Sequence, residues 1–306
     1  VIKPENVTPG MPTWYASTYY DGLSYASIVV KTREGRPIYI KGNKDFGFTK
    51  GATNPQIIAS VLPLYDSARL TGPMKGSSLK TWSDVDSEIS KKLKEIAAKK
   101  GKVVLVSNTV ISPSTNAAIA ALKSLANNGD EAGTNFEHIQ YDAVSYAGIR
   151  NANKESFGTD FIPEYDFSKA KTIVSVGADF LSTWLLSTEY TPQYASRRNP
   201  DGEWMSKHFQ FESVLSITGT NADHRAMVKP SEEANVLSYL LGKFGVNTAA
   251  PKTLSKEAQK VADVAYEALK SSKGESLVVA GSNNTAVQIL ANKLNTVLGA
   301  YDVTIN

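Results

Sequence analysis

Thr172-Ile173-Val174-Ser175-Val176 is a short and almost wholly apolar run, and Gly177-Ala178-Asp179 follows it directly. Continuous β-branched runs of this length are typical of parallel strands that are buried on both faces. Three further runs share this composition, at residues 103–107, 213–217 and 277–280. Segments with apolar residues at helical spacing alternate with them, at residues 83–100, 255–274 and 284–298. The alternation predicts a doubly wound α/β body with a mostly parallel sheet.

The first part of the chain has a different pattern. Residues 27–32 and 37–41 are strand-like, and Arg33-Glu34-Gly35-Arg36 joins them as a tight turn whose glycine tolerates positive φ. We therefore expect a small antiparallel β lobe over residues 1–75 and an α/β body over residues 76–306. The body is expected to form either one lobe or two interleaved lobes.

The segment from Ser187 to Lys207 is long and polar and contains two prolines. This composition favours a surface excursion, and a boundary between two lobes is expected there if the body is divided. Aromatic residues cluster from Trp184 to Tyr194, and again from Trp14 to Tyr20. An interface, core packing or ordinary surface aromatics explain such clusters equally well.

The charges of the chain nearly cancel, because 33 lysine and arginine residues are balanced by 30 aspartate and glutamate residues, for a net charge of +3. This balance gives no strong field to recruit nucleic acid or an anionic membrane surface. No apolar run reaches the roughly 18 residues that a membrane-spanning helix needs. The first residues are rich in proline and lack a charged start before an apolar stretch. We therefore expect neither membrane insertion nor an export signal within this segment.

The sequence contains no cysteine. It therefore excludes disulfides, thiolate zinc sites and iron–sulfur clusters held by cysteine. Its histidines, His138, His208 and His224, are too far apart in sequence to form a helical metal-binding motif. We expect no metal site in this chain.

Small and polar residues follow all four predicted strands, in the segments Ser107-Asn108-Thr109, Gly177-Ala178-Asp179, Thr218-Gly219-Thr220-Asn221 and Gly281-Ser282-Asn283-Asn284. Open α/β sheets bind ligands at the carboxyl ends of their strands, where glycine lets backbone amides approach a phosphate. One interpretation is a nucleotide or pterin crevice. The other is ordinary turn chemistry, which is favoured because no G-x-G-x-x-G or P-loop pattern is present. A nucleophile-elbow pattern is also absent, so no residue is predicted to be catalytic.

Residues 31–38 read Lys-Thr-Arg-Glu-Gly-Arg-Pro-Ile, Gly42-Asn43 and Lys50-Gly51 follow, and residues 64–70 read Leu-Tyr-Asp-Ser-Ala-Arg-Leu. Together with residues 15–19, this frame resembles the N-terminal region of the molybdopterin oxidoreductases related to dimethyl sulfoxide reductase and formate dehydrogenase. That region carries three closely spaced cysteines, a Glu-Gly-x-Pro hairpin, a Gly-Asn pair and a fourth cysteine. The resemblance implies that the chain has the α/β fold of those enzymes.

In those enzymes the four cysteines hold an iron–sulfur cluster. By the spacing of the family pattern, the cysteine positions fall on Tyr19, Gly22, Ala26 and Asn54. None of these residues supplies the thiolate that iron requires. The lysine that usually follows the fourth cysteine falls on Gln56. The resemblance thus implies a vestigial cluster site, and packing of Tyr19 into the space that a cluster would take is a further hypothesis.

Four later segments fit the same family in order, namely Ser175–Phe180, Met205–Glu212, Thr220–Arg225 and Lys229–Glu233. The whole pattern is most similar to the B-subunit family of alternative complex III, a quinol-oxidising complex of Bacteroidetes and other bacteria. There, the molybdopterin-oxidoreductase-like domain carries neither pterin nor cluster, and a ferredoxin-like domain that follows it holds the iron–sulfur centres. The resemblance implies partnership with that domain, which is not in this chain, and with other subunits of a membrane-bound complex on its periplasmic side.

The resemblance favours a catalytically silent scaffold domain of a respiratory quinol:electron acceptor oxidoreductase, with no cofactor in this chain. Its pterin crevice would then be vestigial, and the residues expected to line it are Gly177, Asp179, Asn221 and Gly281. Two alternatives stay open. One is a fragment of an active, cluster-free molybdopterin oxidoreductase, and the other is a small-molecule binding protein that uses the crevice between its lobes.

Overall fold

A computed structural model describes residues 8–127, 135–249, 251 and 253–306. The described residues form two compact units: those up to Val61 together with Tyr146–Asn306, and Leu62–Ser145. The N-terminal sheet therefore shares a unit with the C-terminal part of the chain. The division into domains at residue 75 stays a prediction.

The described chain contains both sheets and helices. In chain order the strands are β1 (Thr13–Tyr20), β2 (Tyr25–Arg33), β3 (Arg36–Gly42), β4 (Met74–Lys75), β5 (Ser78–Leu79), β6 (Val103–Ser107), β7 (Phe136–Gln140), β8 (Thr172–Val176), β9 (Lys207–Glu212), β10 (His224–Met227) and β11 (Ser276–Ala280). The helices are α1 (Pro55–Ala59), α2 (Trp82–Ala98), α3 (Pro113–Ala126), α4 (Ala147–Phe157), α5 (Ser187–Ser196), α6 (Ile217–Thr220), α7 (Glu233–Lys243), α8 (Lys256–Ser271) and α9 (Thr285–Leu298). The predicted α/β class is confirmed.

The N-terminal sheet is antiparallel, with β2 between β1 and β3. Its predicted hairpin is confirmed, and Glu34 and Gly35 turn the chain with φ values of 51° and 79°. A small core lies on this sheet and α1, formed by Ala26, Ile28, Ile40, Ile57 and Val61. The edge strand β1, which holds the first aromatic cluster, leaves most of its side chains exposed.

The larger sheet is parallel and has the order β10-β9-β8-β11. Two of the predicted strands are confirmed as β8 and β11. On one face, Val174 and Phe209 pack with α7, α8 and α9. On the other face, Ile173 and Leu277 pack with an aromatic cluster from α5 and its neighbouring loops. Helices on both faces make the doubly wound arrangement that the apolar strands predict.

The strand predicted at residues 213–217 is wrong. The chain bends there and enters α6, whereas the strand β9 lies just before it. Aromatic and polar side chains alternate in β9, and the polar residues His208, Gln210 and Glu212 are all buried. Polar residues are normally expected at the surface, so the sequence pattern favours the more apolar segment that follows as the buried strand.

The surface excursion predicted from Ser187 to Lys207 is wrong over its first half, which forms α5. Glu189 and Tyr194 of this helix are buried. Its polar groups find partners within the protein, as when the Thr188 hydroxyl donates to the backbone carbonyl of Tyr25 at 2.7 Å. The polar sequence thus belongs to a helix that ties the N-terminal sheet to the α/β body.

The three predicted helices are confirmed as α2, α8 and α9. Ser255 and Asn284 cap α8 and α9, where their side chains accept from the backbone N–H groups of Ala258 and Ala286. The cap of α2 is Thr81, which precedes the predicted start. Such caps are local side-chain chemistry, so the sequence places the starts of α8 and α9 correctly.

The second unit, Leu62–Ser145, holds the short hairpin β4–β5 and the parallel pair β6–β7. The strand predicted at residues 103–107 is confirmed as β6. The helix α3 connects β6 to β7, with Ser112 as its cap and Pro113 at its first turn.

Candidate functional site

The four residues at the predicted cluster positions lie around one turn of the N-terminal sheet. Tyr19 and Ala26 are paired across β1 and β2, and Gly22 lies in the turn between them with φ 94°. Asn54 caps α1, and its side-chain amide donates to the Ser24 hydroxyl of the same turn at 3.4 Å. The structure therefore brings these four residues together.

Asp21 holds this turn closed. Its carboxylate accepts hydrogen bonds from the backbone N–H groups of Leu23 at 2.9 Å and Ser24 at 2.7 Å, and from the Tyr19 hydroxyl at 3.1 Å. The side-chain amide of Gln56, at the family's lysine position, donates to it at 2.8 Å. Partial burial alone would raise the pKa of Asp21, but the donors at Ser24, Leu23 and Tyr19 outweigh burial and lower the pKa.

The ring of Tyr19 packs against the small core of the N-terminal sheet, next to Ala26. Burial, followed by the hydrogen bond to the Asp21 carboxylate, raises the pKa of the Tyr19 hydroxyl. The phenol is therefore neutral at physiological pH and donates a hydrogen bond to the Asp21 carboxylate. The ring does not point fully into solvent, and its occupation of the space that a cluster would take stays a hypothesis.

The carboxyl ends of β8 and β11 meet at Gly177 and Gly281. The chain leaves β8 towards β9 and β10 on one side and returns to β11 on the other, so these ends flank the topological switch point of the sheet. The N–H of Gly281 donates to the carbonyl of Val176 at 2.9 Å. A Cβ at Gly281 would lie 2.1 Å from the carbonyl oxygen of Gly177. The two backbones touch, which only glycine permits.

Glu233, the first residue of α7, lies over Gly177. Its Oε1 atom is 2.5 Å from the position that a Cβ at Gly177 would take. Burial alone raises the pKa of the Glu233 carboxyl to about 7. Glu233 is not a candidate from the sequence, because Lys-Pro-Ser-Glu-Glu at residues 229–233 is also an ordinary helix start.

Asp179 follows Gly177, but its carboxylate already has partners. It accepts from the backbone N–H and the hydroxyl of Thr218, at 3.1 and 2.7 Å. Asn221 lies apart from the other crevice candidates, at the end of α6 and shortly before β10, on the amino side of the sheet. Its expected place at a carboxyl end is therefore corrected, because the strand before it ends at Glu212.

A row of buried polar side chains runs along β9 between the two edges of the sheet. Nδ1 of His208 is 3.2 Å from the Tyr194 hydroxyl, and Nε2 is 3.2 Å from Oε1 of Gln210. The Gln210 amide donates to the Glu212 carboxylate at 3.1 Å. These polar groups can be buried because they hydrogen-bond to one another. Their role is therefore structural rather than catalytic.

The stability of the protein should depend on the protonation of His208. Burial within the sheet lowers the pKa of His208 from 6.5 to about 4. As the pH falls through this range, the unfolded chain binds a proton before the folded chain does, so stability present above pH 6.5 is lost on the way to pH 4. Between pH 7 and 5 the loss should be about 2 kcal/mol.

Urea unfolding of the wild type and of His208→Gln, which does not titrate, measures this contribution. We expect the free energy of unfolding to fall less steeply in the variant over this pH range, whatever its absolute stability. Parallel curves for the two proteins would contradict the assignment.

Within the described part of the chain, no group of three or more histidine, aspartate or glutamate side chains is placed to hold a metal ion. In the same residues, every helix is too short or too polar to cross a bilayer.

Comparison with known proteins places this geometry in context. Residues 69–209 match the family model of the molybdopterin oxidoreductases. The menaquinone reductase, molybdopterin-binding-like subunit of Nitratidesulfovibrio vulgaris is 26% identical over 233 residues, which cover 72% of this chain. They cover 32% of the relative, so the matched region spans about a third of its length. The chain is therefore similar to molybdopterin oxidoreductases over residues 69–209, and over most of its length to a subunit of a quinone reductase.

Proposed function

We propose that this chain is a scaffold domain of a respiratory quinol:electron acceptor oxidoreductase, with a molybdopterin oxidoreductase-like fold and no cofactor of its own. The family match and the quinone reductase relative support the respiratory assignment. The resemblance to the B subunit of alternative complex III supports the finer one, a domain that carries no catalysis and lies on the periplasmic side of a membrane complex. Electrons would then pass through a ferredoxin-like domain of the same subunit.

The observation that carries this proposal is the turn at Asp21. A cluster at this turn needs thiolates on all four of its ligand positions, and here those positions hold a phenol, a glycine, a methyl group and an amide. The side chains around them already satisfy one another, since Tyr19 and Gln56 both donate to Asp21. The residues present therefore do not fit a cluster, and the turn keeps its shape through hydrogen bonds of the chain itself.

Elemental and pterin analysis tests the proposal. The chain is produced in a host that assembles iron–sulfur clusters and molybdenum cofactors, and is compared with an active molybdopterin enzyme from the same host. We expect iron, molybdenum, tungsten and the fluorescence of oxidised pterin to stay at background. Stoichiometric molybdenum or tungsten together with pterin would contradict the proposal and favour an active, cluster-free oxidoreductase.

A matched variant tests the assignment of the cluster positions. Cysteines are placed at all four of them, by Tyr19→Cys, Gly22→Cys, Ala26→Cys and Asn54→Cys. After anaerobic reconstitution the variant should gain iron and the visible absorbance of a cluster, whereas the wild type should gain neither. A folded variant that binds no iron would mean that the positions are misassigned.

A further inference from the structure

Backbone atoms and one carboxylate line the switch point between β8 and β11. Gly177 is exposed, so a ligand in solution can reach this edge of the sheet. The gap between the strands is closed by backbone, because a Cβ at Gly281 would lie 2.1 Å from the Gly177 carbonyl oxygen. The space over Gly177 is taken by the carboxylate of Glu233, whose Oε1 lies 2.5 Å from a Cβ built there.

Glu233 also brings a negative charge to this place. It begins α7 directly after the short helical turn Pro230–Glu232, and its carboxylate lies over Gly177. That charge, rather than the volume of the side chain, is what would repel a phosphate group. A phosphate group would compete for the same place and would meet a like charge in a partly buried setting.

The titration of Glu233 agrees with this geometry. Burial raises the pKa of its carboxyl to about 7, so the site tolerates even one negative charge poorly. A second anion beside it would be less favourable still.

We propose that the Glu233 carboxylate blocks the switch-point crevice to anions. The crevice therefore rejects phosphate-bearing ligands such as nucleotides and the pyrophosphate group of dinucleotide cofactors. The inference rests on the proposed function, because it names the feature of this chain that keeps such a crevice free of cofactor. Gly177 and Gly281 then allow the strand ends to contact each other, rather than allowing a phosphate to approach.

Calorimetric titration of the full chain with inorganic pyrophosphate at pH 8 tests whether Glu233 excludes phosphate groups. The Glu233→Gln variant keeps the size of the side chain and removes its charge. The control is Glu232→Gln, which makes the same change of net charge one residue earlier and keeps an oxygen that can accept from the Lys229 N–H. We expect Glu233→Gln to bind pyrophosphate at least about tenfold more tightly than the wild type, and Glu232→Gln to resemble the wild type.

Equal affinities of the wild type and Glu233→Gln would overturn the inference, as would an equal gain in Glu232→Gln. Circular dichroism verifies that both variants are folded, which is expected since each loses only a charge. The outcomes separate the two proposals. A cofactor-free wild type, together with no gain of pyrophosphate affinity in Glu233→Gln, would contradict only the proposed role of Glu233. Stoichiometric pterin in the wild type would contradict the proposed function.

Discussion

Replacing Glu212 with alanine should lower the free energy of unfolding by about 3–5 kcal/mol. Its side chain is buried at the end of β9, where the carboxylate accepts from Arg225 Nε at 2.6 Å and from the Ser216 hydroxyl at 2.6 Å. Burial alone would raise the pKa of Glu212, but Arg225 and the other donors lower it, so the ionised form is the one that these contacts stabilise. Its removal leaves Arg225 without its partner and breaks the polar row along the strand.

Urea unfolding followed by tryptophan fluorescence measures this loss. The matched control is Glu275→Ala, which removes an ion pair with Lys171 at 2.7 Å whose side chains are 47% and 42% exposed. Solvent screening makes such a pair worth about 1 kcal/mol or less. Losses of similar size for the two variants would mean that the contacts of Glu212 do not organise the sheet edge.

The Gly281→Ala variant should lose about 3 kcal/mol or more, and a low soluble yield would be the extreme form of this result. A methyl group at this position would lie 2.1 Å from the Gly177 carbonyl oxygen and 2.8 Å from the Ala178 nitrogen. Both are backbone atoms of the neighbouring strand end. No rotamer change can relieve the contact, so the strands β8 and β11 themselves must move apart.

Thermal and urea unfolding check this prediction against Gly72→Ala. A Cβ at Gly72 meets nothing within 4 Å. That substitution should therefore change stability by no more than about 1 kcal/mol. Wild-type stability in Gly281→Ala would show that the carboxyl ends of β8 and β11 are not in close contact.

Much of the fold follows from apolar periodicity. The strands β8 and β11 and the helices α8 and α9 bury continuous apolar faces, and burial of such faces is what the sequence pattern records. The strand β9 escapes this logic, because His208, Gln210 and Glu212 are buried through hydrogen bonds to one another. For the same reason the sequence pattern does not predict α5 as a buried helix, because its polar side chains have partners inside the protein.

The candidate site is predictable only in part. Family spacing predicts the four cluster positions from sequence order alone, and they stay a prediction. The contacts that give those positions their character join residues far apart in the chain, such as Gln56 with Asp21 and Glu233 with Gly177. No local pattern encodes such pairs, and they become visible only once the turn and the sheet edge are built.

The closed turn at Asp21 also bears on how the protein is made. Where a lobe is organised by metal, its last folding step waits for the ion to be delivered. Here the groups that close the turn, a carboxylate, a phenol and several amides, are all present once the polypeptide has been synthesised. The turn of this lobe can therefore close at the pace of the folding of the chain itself.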